Sequence, residues 1–258
     1  MPFGPVSIDH STRLKTALGI ADHLTVHFGG QLLAVGLYGS VAQGSDGPYS
    51  DIEMHCVLDA PGVDRTLEWT TGDWKAEIDL VGINVILKKA AAVEPDWPIV
   101  QGAYASVQAV YDPSNLFIHL KKIALSQPVT RFSKAIKDLI VGKMYELAGK
   151  IRNAGLRQSS VMLPYYAVEF ARWGACLIGL DNRAIYTLQG KLFSASLELD
   201  NRPQGYDALC HLVMAGDLTD SRQTFQACEA FWQGVNVWAR LKGLHLENEL
   251  TELLKFLE

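Results

Sequence analysis

The chain lacks several features that mark whole classes of protein. It has no apolar run long enough to span a bilayer and opens without a basic-then-apolar leader, so we expect a soluble, cytoplasmic protein with no membrane partner. A net charge of −5 provides no surplus of Lys and Arg to neutralise phosphates, which argues against nucleic acid as a partner. Its four cysteines show no C-x-x-C spacing, and we predict buried reduced thiols rather than a zinc site or disulfides.

What the chain does have is length and apolar content. With 258 residues, 48% of them hydrophobic, it can bury two modest cores, which is a commoner division at this length than one large core. The charge is uneven, because residues 1–127 carry 8 Lys and Arg against 14 Asp and Glu, whereas the remainder carries 15 against 14. The first half is therefore the acidic one, and acidity suits a cationic small molecule.

A short motif organises the first half. Gly39-Ser40 follows one apolar strand, and Asp51-x-Glu53 opens the next. Residues two apart on a strand point to one side, so these two carboxylates can share a divalent ion such as Mg²⁺. Gly39 permits close approach of the backbone to an anion, and Ser40 offers it an N–H and a hydroxyl. Either piece alone is usually a plain turn or a solvated strand face, but together they predict a cradle for a triphosphate and a metal. His55 falls on the same side, where we expect a neutral histidine bordering the core.

Two further rows of charge accompany this motif. In a predicted β-hairpin, Lys75, Glu77 and Asp79 alternate with apolar residues, which is typical of an exposed sheet face or of a face that binds an amine-bearing substrate. In a predicted helix, Glu146 and Lys150 lie one turn apart on the border of the apolar stripe. Such an i,i+4 pair is usually a surface ion pair worth about 0.2–0.5 kcal/mol.

The periodicity predicts an α+β fold, with an N-terminal mixed β-sheet domain and flanking helices followed by an all-α C-terminal helical bundle. Helix breakers become rare after Gln127-Pro128, so we place the domains at residues 1–127 and 128–258. The predicted strands cover residues 32–38, 52–58, 67–71, 74–81 and 105–111. The predicted helices cover residues 11–28 (capped by Ser11, stopped by Gly29-Gly30), 131–153, 161–180, 190–199, 206–215, 220–241 and 249–258, with one helical turn at 41–44.

Four runs carry a resemblance to a known family: GLYGSVAQGSDGPYSDIEMHCVL, EWTTGDWKAEIDL, YELAGKIRN and GYDALCHLVMAGDLTDS. The first contains the Gly-Ser-x₁₀-Asp-x-Glu signature of the nucleotidyltransferase superfamily, and together the four resemble kanamycin nucleotidyltransferases, the aminoglycoside 4'-O-nucleotidyltransferase family, over nearly the whole chain. The resemblance implies transfer of AMP from Mg-ATP to the 4'-hydroxyl of an aminoglycoside antibiotic, conferring resistance. It also implies a homodimer with active sites built from both subunits.

The resemblance further implies that Glu146 deprotonates the sugar hydroxyl, acting on the partner's site in such a dimer, and that Lys150 contacts the nucleotide's phosphates. Gln43 stands where the family has arginine, so we expect lower nucleotide affinity unless another cation compensates. With the motif above, the predicted site residues are Gly39, Ser40, Gln43, Ser50 and Lys150 for the nucleotide, Asp51, Glu53 and Glu77 for magnesium, and Lys75, Glu77, Asp79 and Glu146 for the aminoglycoside.

Two alternatives remain open. A nucleotidyltransferase of the same fold could act on another acceptor, such as a different drug position or a protein. A binding module could instead keep the fold without catalysis, although a relic would be expected to have lost some of the acidic residues that are intact here.

Overall fold

The computed structural model describes residues 4–156, 161–247 and 250. The chain divides into two compact units. The first comprises Met1–Ala92, Ile99–Gln127 and Thr187–Gln189, and the second comprises Val93–Pro98, Pro128–Tyr186 and Gly190–Glu258. In the described part of the chain, no helix is both long and apolar enough to cross a membrane.

The first unit is built on one five-stranded sheet. Its strands are β1 Leu32–Tyr38, β2 Ile52–Leu58, β3 Asp64–Thr70, β4 Lys75–Gly82 and β5 Gln108–Tyr111. They lie in the order β3-β4-β2-β1-β5, with β2 and β4 parallel and all other neighbours antiparallel. The predicted strands are confirmed, except that the prediction for residues 105–107 was wrong: Ala105 ends a short helix, and pairing with β1 starts only at Gln108.

Most of the predicted helices are confirmed, whereas four helices between residues 83 and 125 were not predicted. They are α1 His10–Phe28, α2 Gly39–Ala42, α3 Ile83–Ala91, α4 Trp97–Val100, α5 Gly102–Ala105, α6 Leu116–Leu125, α7 Val129–Leu139, α8 Tyr145–Leu156, α9 Leu163–Asn182, α10 Leu192–Leu197, α11 Tyr206–Ala215 and α12 Ser221–Leu241. Apart from Leu250, the predicted terminal helix over residues 249–258 lies outside the described residues. The α+β fold class is confirmed.

The cap of α1 differs from the prediction. Asp9, not Ser11, is the N-cap, because its carboxylate accepts the free Thr12 N–H at 2.9 Å. The Ser11 hydroxyl donates to that same carboxylate at 2.6 Å, so Ser11 already lies inside the helix. At the other end, Gly29 has φ 49° and stops the helix as predicted.

Different helices cover the two faces of the sheet. On one face, α1 supplies Ala17 and Ala21 to a buried cluster with Ile52, Met54 and Ile78. Burial of a side chain the size of Ile52 stabilises the fold by about 2 kcal/mol. The alternation predicted along the second strand is the cause, since its even-numbered residues all point to α1.

The opposite face is apolar at one end only. Val57 and Val81 pack there with Leu120 of α6 in a second buried cluster. Moving back along β2, the same alternation places His55 and then Glu53 on this face. This face of the sheet is therefore a packed core at one end and a half-exposed acidic surface at the other. The candidate site lies at the acidic end.

The second unit is helical, with α9 at its centre. Residues of α9 such as Phe170 and Cys176 are fully buried, and Phe170 packs against Phe231 of α12 with ring centroids 5.1 Å apart. The predicted helix over residues 131–153 is observed as α7, a π-helical segment at Ile140–Met144 and α8. All four cysteines are buried and free, which confirms the predicted reduced thiols.

Candidate active site

Acidic side chains gather where the parallel strands β2 and β4 begin. In the strand register, Glu53 lies between Tyr38 of β1 and Glu77 of β4. Asp51 immediately precedes β2, and the charges of Asp51 and Glu77 both act on the Glu53 carboxyl. Partners in register present their side chains on the same face of a sheet. The structure thus brings together Asp51, Glu53 and Glu77.

The crowding of these carboxylates changes the pKa of Glu53. Burial, and then the charges of Asp51, Glu77 and Asp79, raise the pKa of Glu53 to about 7. Lys75 opposes the shift but does not cancel it. A cation placed among these carboxylates would relieve their repulsion and favour the ionised form of Glu53.

The turn beside Glu53 requires glycine for two separate reasons. Gly39 has φ +70°, a conformation that residues with a side chain rarely adopt. A Cβ at this position would also lie 1.8 Å from Glu53 Oε2. The Glu53 carboxylate therefore occupies the space that a side chain at position 39 would need, and the half-exposed Ser40 follows directly in the chain.

The loop that delivers Asp51 is held by a buried ion pair. Arg13 of α1 pairs with Asp46, and both side chains are almost fully buried. Arg13 also donates to the Pro48 carbonyl oxygen at 2.9 Å. No local pattern in the sequence signals this pair, because its partners lie 33 residues apart.

Asp79 and His55 are tied into the structure rather than free. The Asp79 carboxylate accepts from the Thr66 hydroxyl at 2.7 Å and from the Tyr38 hydroxyl at 3.2 Å. His55 Nδ1 lies 3.4 Å from Asp79 Oδ2, too long for a good hydrogen bond but close enough for its charge to act. Although burial opposes ionisation of Asp79, the contacts from His55 and Thr66 lower its pKa.

The His55 ring is buried, as expected for a histidine at the border of the core. It stacks between Tyr38 and Tyr104, with ring centroids 4.3 Å and 5.4 Å away. Its Nε2 donates to the Ala103 carbonyl oxygen at 3.1 Å, since a carbonyl can only accept. His55 is therefore held in place by its neighbours and lies next to the acidic end of the sheet, on the same face.

Glu68 is a member of this cluster that the sequence analysis missed. It lies opposite Glu77 in the β3–β4 register. Lys75 Nζ lies 3.4 Å from Glu68 Oε1 and 3.5 Å from Glu77 Oε2, so one ammonium group bridges two carboxylates. The hairpin register was the signal that could have found Glu68, because it decides which residue faces Glu77.

A cavity of about 560 Å³ adjoins the acidic end of the sheet. Its lining includes Ser50, Asp51, Glu68 and Lys75, together with aromatic side chains from the hairpin. This size suits a small-molecule ligand. Glu53 and Glu77 are not part of the lining, so the cavity borders the carboxylate cluster rather than containing it.

The carboxylates fit a metal ion whose remaining ligands are supplied by the substrate and by water. Among the residues that the structure describes, no three His, Cys, Asp or Glu side chains form a ready-made metal cage. Mg²⁺ in nucleotide enzymes usually takes one or two carboxylates, with substrate phosphates and water completing the shell. Asp51 and Glu53 can provide that share.

In the second unit, Glu146 and Lys150 form an exposed i,i+4 ion pair on α8, with Lys150 Nζ 2.6 Å from Glu146 Oε1. The hydrogen bond from Lys150 lowers the pKa of Glu146. In the first unit, the amide of Gln43 is bonded to Thr187 and Gly39. The predicted site residues thus occupy both units.

Comparison with solved structures identifies the class of the fold. A nucleotidyltransferase-like protein from Exiguobacterium sibiricum 255-15 matches 89% of this chain and 75% of its own, with a TM-score of 0.51 and 11% sequence identity. At that identity the likeness concerns the fold alone. The chain therefore shares the fold of this nucleotidyltransferase-like protein.

Sequence relatives identify the family. Residues 114–245 match the family model of the KNTase C-terminal domain. The aminoglycoside nucleotidyltransferases (4') of a Bacillus species and of Staphylococcus aureus are each 36% identical to this chain over 240 residues, which is 93% of this chain and 95% of theirs. The chain belongs to the aminoglycoside nucleotidyltransferase (4') family.

Proposed function

We propose that this protein is an enzyme that transfers AMP from ATP to the 4'-hydroxyl of an aminoglycoside antibiotic and thereby confers resistance. The observation that carries the proposal is the 36% identity to aminoglycoside nucleotidyltransferases (4') over 93% of the chain, which spans both compact units. Residues 1–127 would be the nucleotidyltransferase domain and residues 128–258 the helical domain. The enzyme would act in the cytoplasm, where its nucleotide is available.

Asp51 and Glu53, with Glu77 beside them, would hold Mg²⁺ together with the triphosphate. When bound, the ion would neutralise the charge that develops on the transferring and leaving phosphates. The raised pKa of Glu53 supports this role, because burial and the charges of Asp51 and Glu77 disfavour an ionised Glu53, and a bound cation would favour it. Gly39, by approaching Glu53 closely, would keep the nucleotide-binding turn at a fixed distance from that set.

The nucleotide's phosphates would be bound by Ser40, Ser50 and Lys150. Ser50 lines the cavity next to Asp51, and its hydroxyl accepts the Gly47 N–H at 3.0 Å, which still leaves its own proton free to donate. Lys150 provides the positive charge that Gln43 does not.

Glu146 would act as the general base. The 4'-oxygen attacks the α-phosphorus, a P–O bond forms, the bond to pyrophosphate breaks, and the hydroxyl proton passes to Glu146. While Lys150 pairs with it, the pKa of Glu146 is held below its usual value. Transfer of Lys150 to a phosphate would remove that partner and make Glu146 a stronger base.

The ammonium groups of the drug would be bound by the acidic face of the hairpin. Glu77 and Asp79 were predicted for this role, and Glu68 extends the same face. Asp79 would act mainly through charge, since its oxygens already accept hydrogen bonds. Lys75 bridges Glu68 and Glu77 in this structure, and a drug amine would displace it from these carboxylates. We further propose a homodimer whose active sites combine residues of both subunits, so that Glu146 acts on the partner's substrate.

The test is to incubate the purified protein with Mg-ATP and paired aminoglycosides that carry or lack the 4'-hydroxyl, and to weigh the products. We expect a mass gain equal to AMP only on drugs that retain this hydroxyl. Equal labelling of 4'-deoxy drugs would indicate another acceptor position. Absence of labelling with every drug, in a protein that still binds Mg-ATP, would contradict the proposed function.

A further inference from the structure

The side chain of Gln43 forms hydrogen bonds that no sequence pattern predicts. Its Nε2 donates to the Thr187 carbonyl oxygen at 3.1 Å and to the Gly39 carbonyl oxygen at 3.3 Å. Its Oε1 accepts from the Thr187 hydroxyl at 3.0 Å. The two residues are 144 positions apart in the chain, yet both belong to the first unit.

Chemistry decides which way this amide points. Carbonyl oxygens can only accept, so the NH₂ end of Gln43 must face Thr187 O and Gly39 O. The amide oxygen then faces the Thr187 hydroxyl, which is able to donate. Both N–H groups of Gln43 are therefore used inside the protein, and the side chain cannot bind a phosphate without giving up one of these contacts.

The contact reaches the predicted site in two short steps. Gln43 caps the C-terminal end of α2, and its side chain returns to the carbonyl of Gly39, the first residue of that helix. Gly39 is also the residue at which any side chain would collide with the Glu53 carboxylate. The order of contacts is thus Thr187, Gln43, Gly39 and Glu53, so the position of the turn depends on a residue far along the chain.

We infer that Thr187 is a positioning residue for the nucleotide, acting through Gln43 on the Gly39-Ser40 turn. This inference rests on the proposed function, and it assigns Gln43 to holding the turn rather than to contacting phosphate. Since both side chains are exposed, the pair contributes little to global stability. Its loss should alter nucleotide binding while the fold is kept.

The test compares Thr187→Val, which keeps the shape and removes the hydroxyl, with Thr187→Ser, which keeps the hydroxyl. We expect Thr187→Val to raise KM for ATP about three- to tenfold with little change in kcat, as for a lost hydrogen bond that acts on binding. Thr187→Ser should behave as the parent protein. Thr16→Val is the matched control, because it removes a hydroxyl that bonds only within α1.

A double-mutant cycle with Gln43→Ala tests the route. We expect Thr187→Val to add nothing further to KM in the Gln43→Ala background. An unchanged KM in Thr187→Val, or an effect that persists without Gln43, would overturn the inference while leaving the proposed function intact. If the parent protein shows no transfer, titration of Mg-ATP into the parent and the three variants of the cycle measures the coupling in Kd, so that the two failures are distinguished.

Discussion

Two regions carry the proposed chemistry, and they differ in how strongly their structure supports it. At the acidic end of the sheet, strand register places Glu53 beside Glu77, and the pKa of Glu53 responds to its neighbours. On α8, Glu146 and Lys150 look like any exposed i,i+4 pair. The sheet site is visible from geometry, whereas the helix pair gains its meaning from the family alone. The difference shows that a raised carboxyl pKa marks a crowded acidic site, whereas the lowered pKa of Glu146 is what any exposed ion pair with lysine produces.

The largest expected effect concerns the sheet. Glu53→Gln removes a charge from the proposed metal-binding set while keeping its shape, and we expect kcat to fall on the order of a thousandfold. Steady-state assays over a range of Mg²⁺ concentrations would measure it. Asp22→Asn, an exposed change on α1, is the control and should leave kcat as it is. Full activity in Glu53→Gln would remove the sheet end as the catalytic centre.

The helix pair provides the matching test. Glu146→Gln should lower kcat by at least about a hundredfold with KM for ATP mostly kept, because a general base acts in the transition state. Lys150→Met should raise the pKa of Glu146 toward its usual value, which the acid limb of the pH–rate profile would report, and should also raise KM for ATP. Normal turnover in Glu146→Gln would show that the pair is only a surface ion pair.

The stability of the metal-free protein should depend on pH through Glu53. Its pKa is about 7 in the folded chain and 4.5 ordinarily, so the native state holds the proton more tightly between these values. The contribution of Glu53 to the free energy of unfolding is therefore fully present below pH 4.5. It is lost as pH rises toward 7, by about 2 kcal/mol after discounting for solvent screening. Urea unfolding of the parent and of Glu53→Gln at pH 5 and pH 8 would measure this. The pH-dependent difference should shrink when Mg-ATP is added; a difference of the opposite sign would show that Glu53 is not crowded.

A smaller effect is expected at the Gly39-Ser40 turn, where backbone strain at positive φ can be separated from the clash of a side chain with Glu53. Gly39→Ala and Gly29→Ala both place a side chain at positive φ, which costs about 1 kcal/mol, but only Gly39→Ala adds a Cβ in contact with Glu53. We expect a larger loss of unfolding free energy in Gly39→Ala than in Gly29→Ala, and a drop in kcat of about tenfold in Gly39→Ala alone. Equal activity of the two variants would mean that the approach of Gly39 to Glu53 is not needed.

Much of the fold could be predicted from the sequence because it depends on local periodicity. The strand of Glu53 alternates, and its apolar residues meet α1 as expected. Long helices such as α9 and α12 follow from their apolar stripes. Errors arose where two local solutions compete: Asp9 or Ser11 as a cap, and helix or strand at Ala105.

The candidate site was predictable in its residue types but less so in its partners. Gly39, Asp51 and Glu53 follow from motif spacing and strand alternation, whereas Glu77 was assigned with the help of the family resemblance. Glu68 was missed because hairpin register was not used to ask which residue faces Glu77. The family resemblance indicated Glu146, which no physical feature of α8 distinguishes.

The sequence by itself determined which side chains face one another on a strand or a helix, since those relations repeat over two to four residues. Only the tertiary structure decided the contacts that join distant segments: Arg13 with Asp46, Tyr38 with Asp79, and Thr187 with Gln43. Such pairs leave no periodic trace, because each is set by how whole elements pack. They decide whether a carboxylate or an amide near the site is free to bind substrate or is already engaged within the protein.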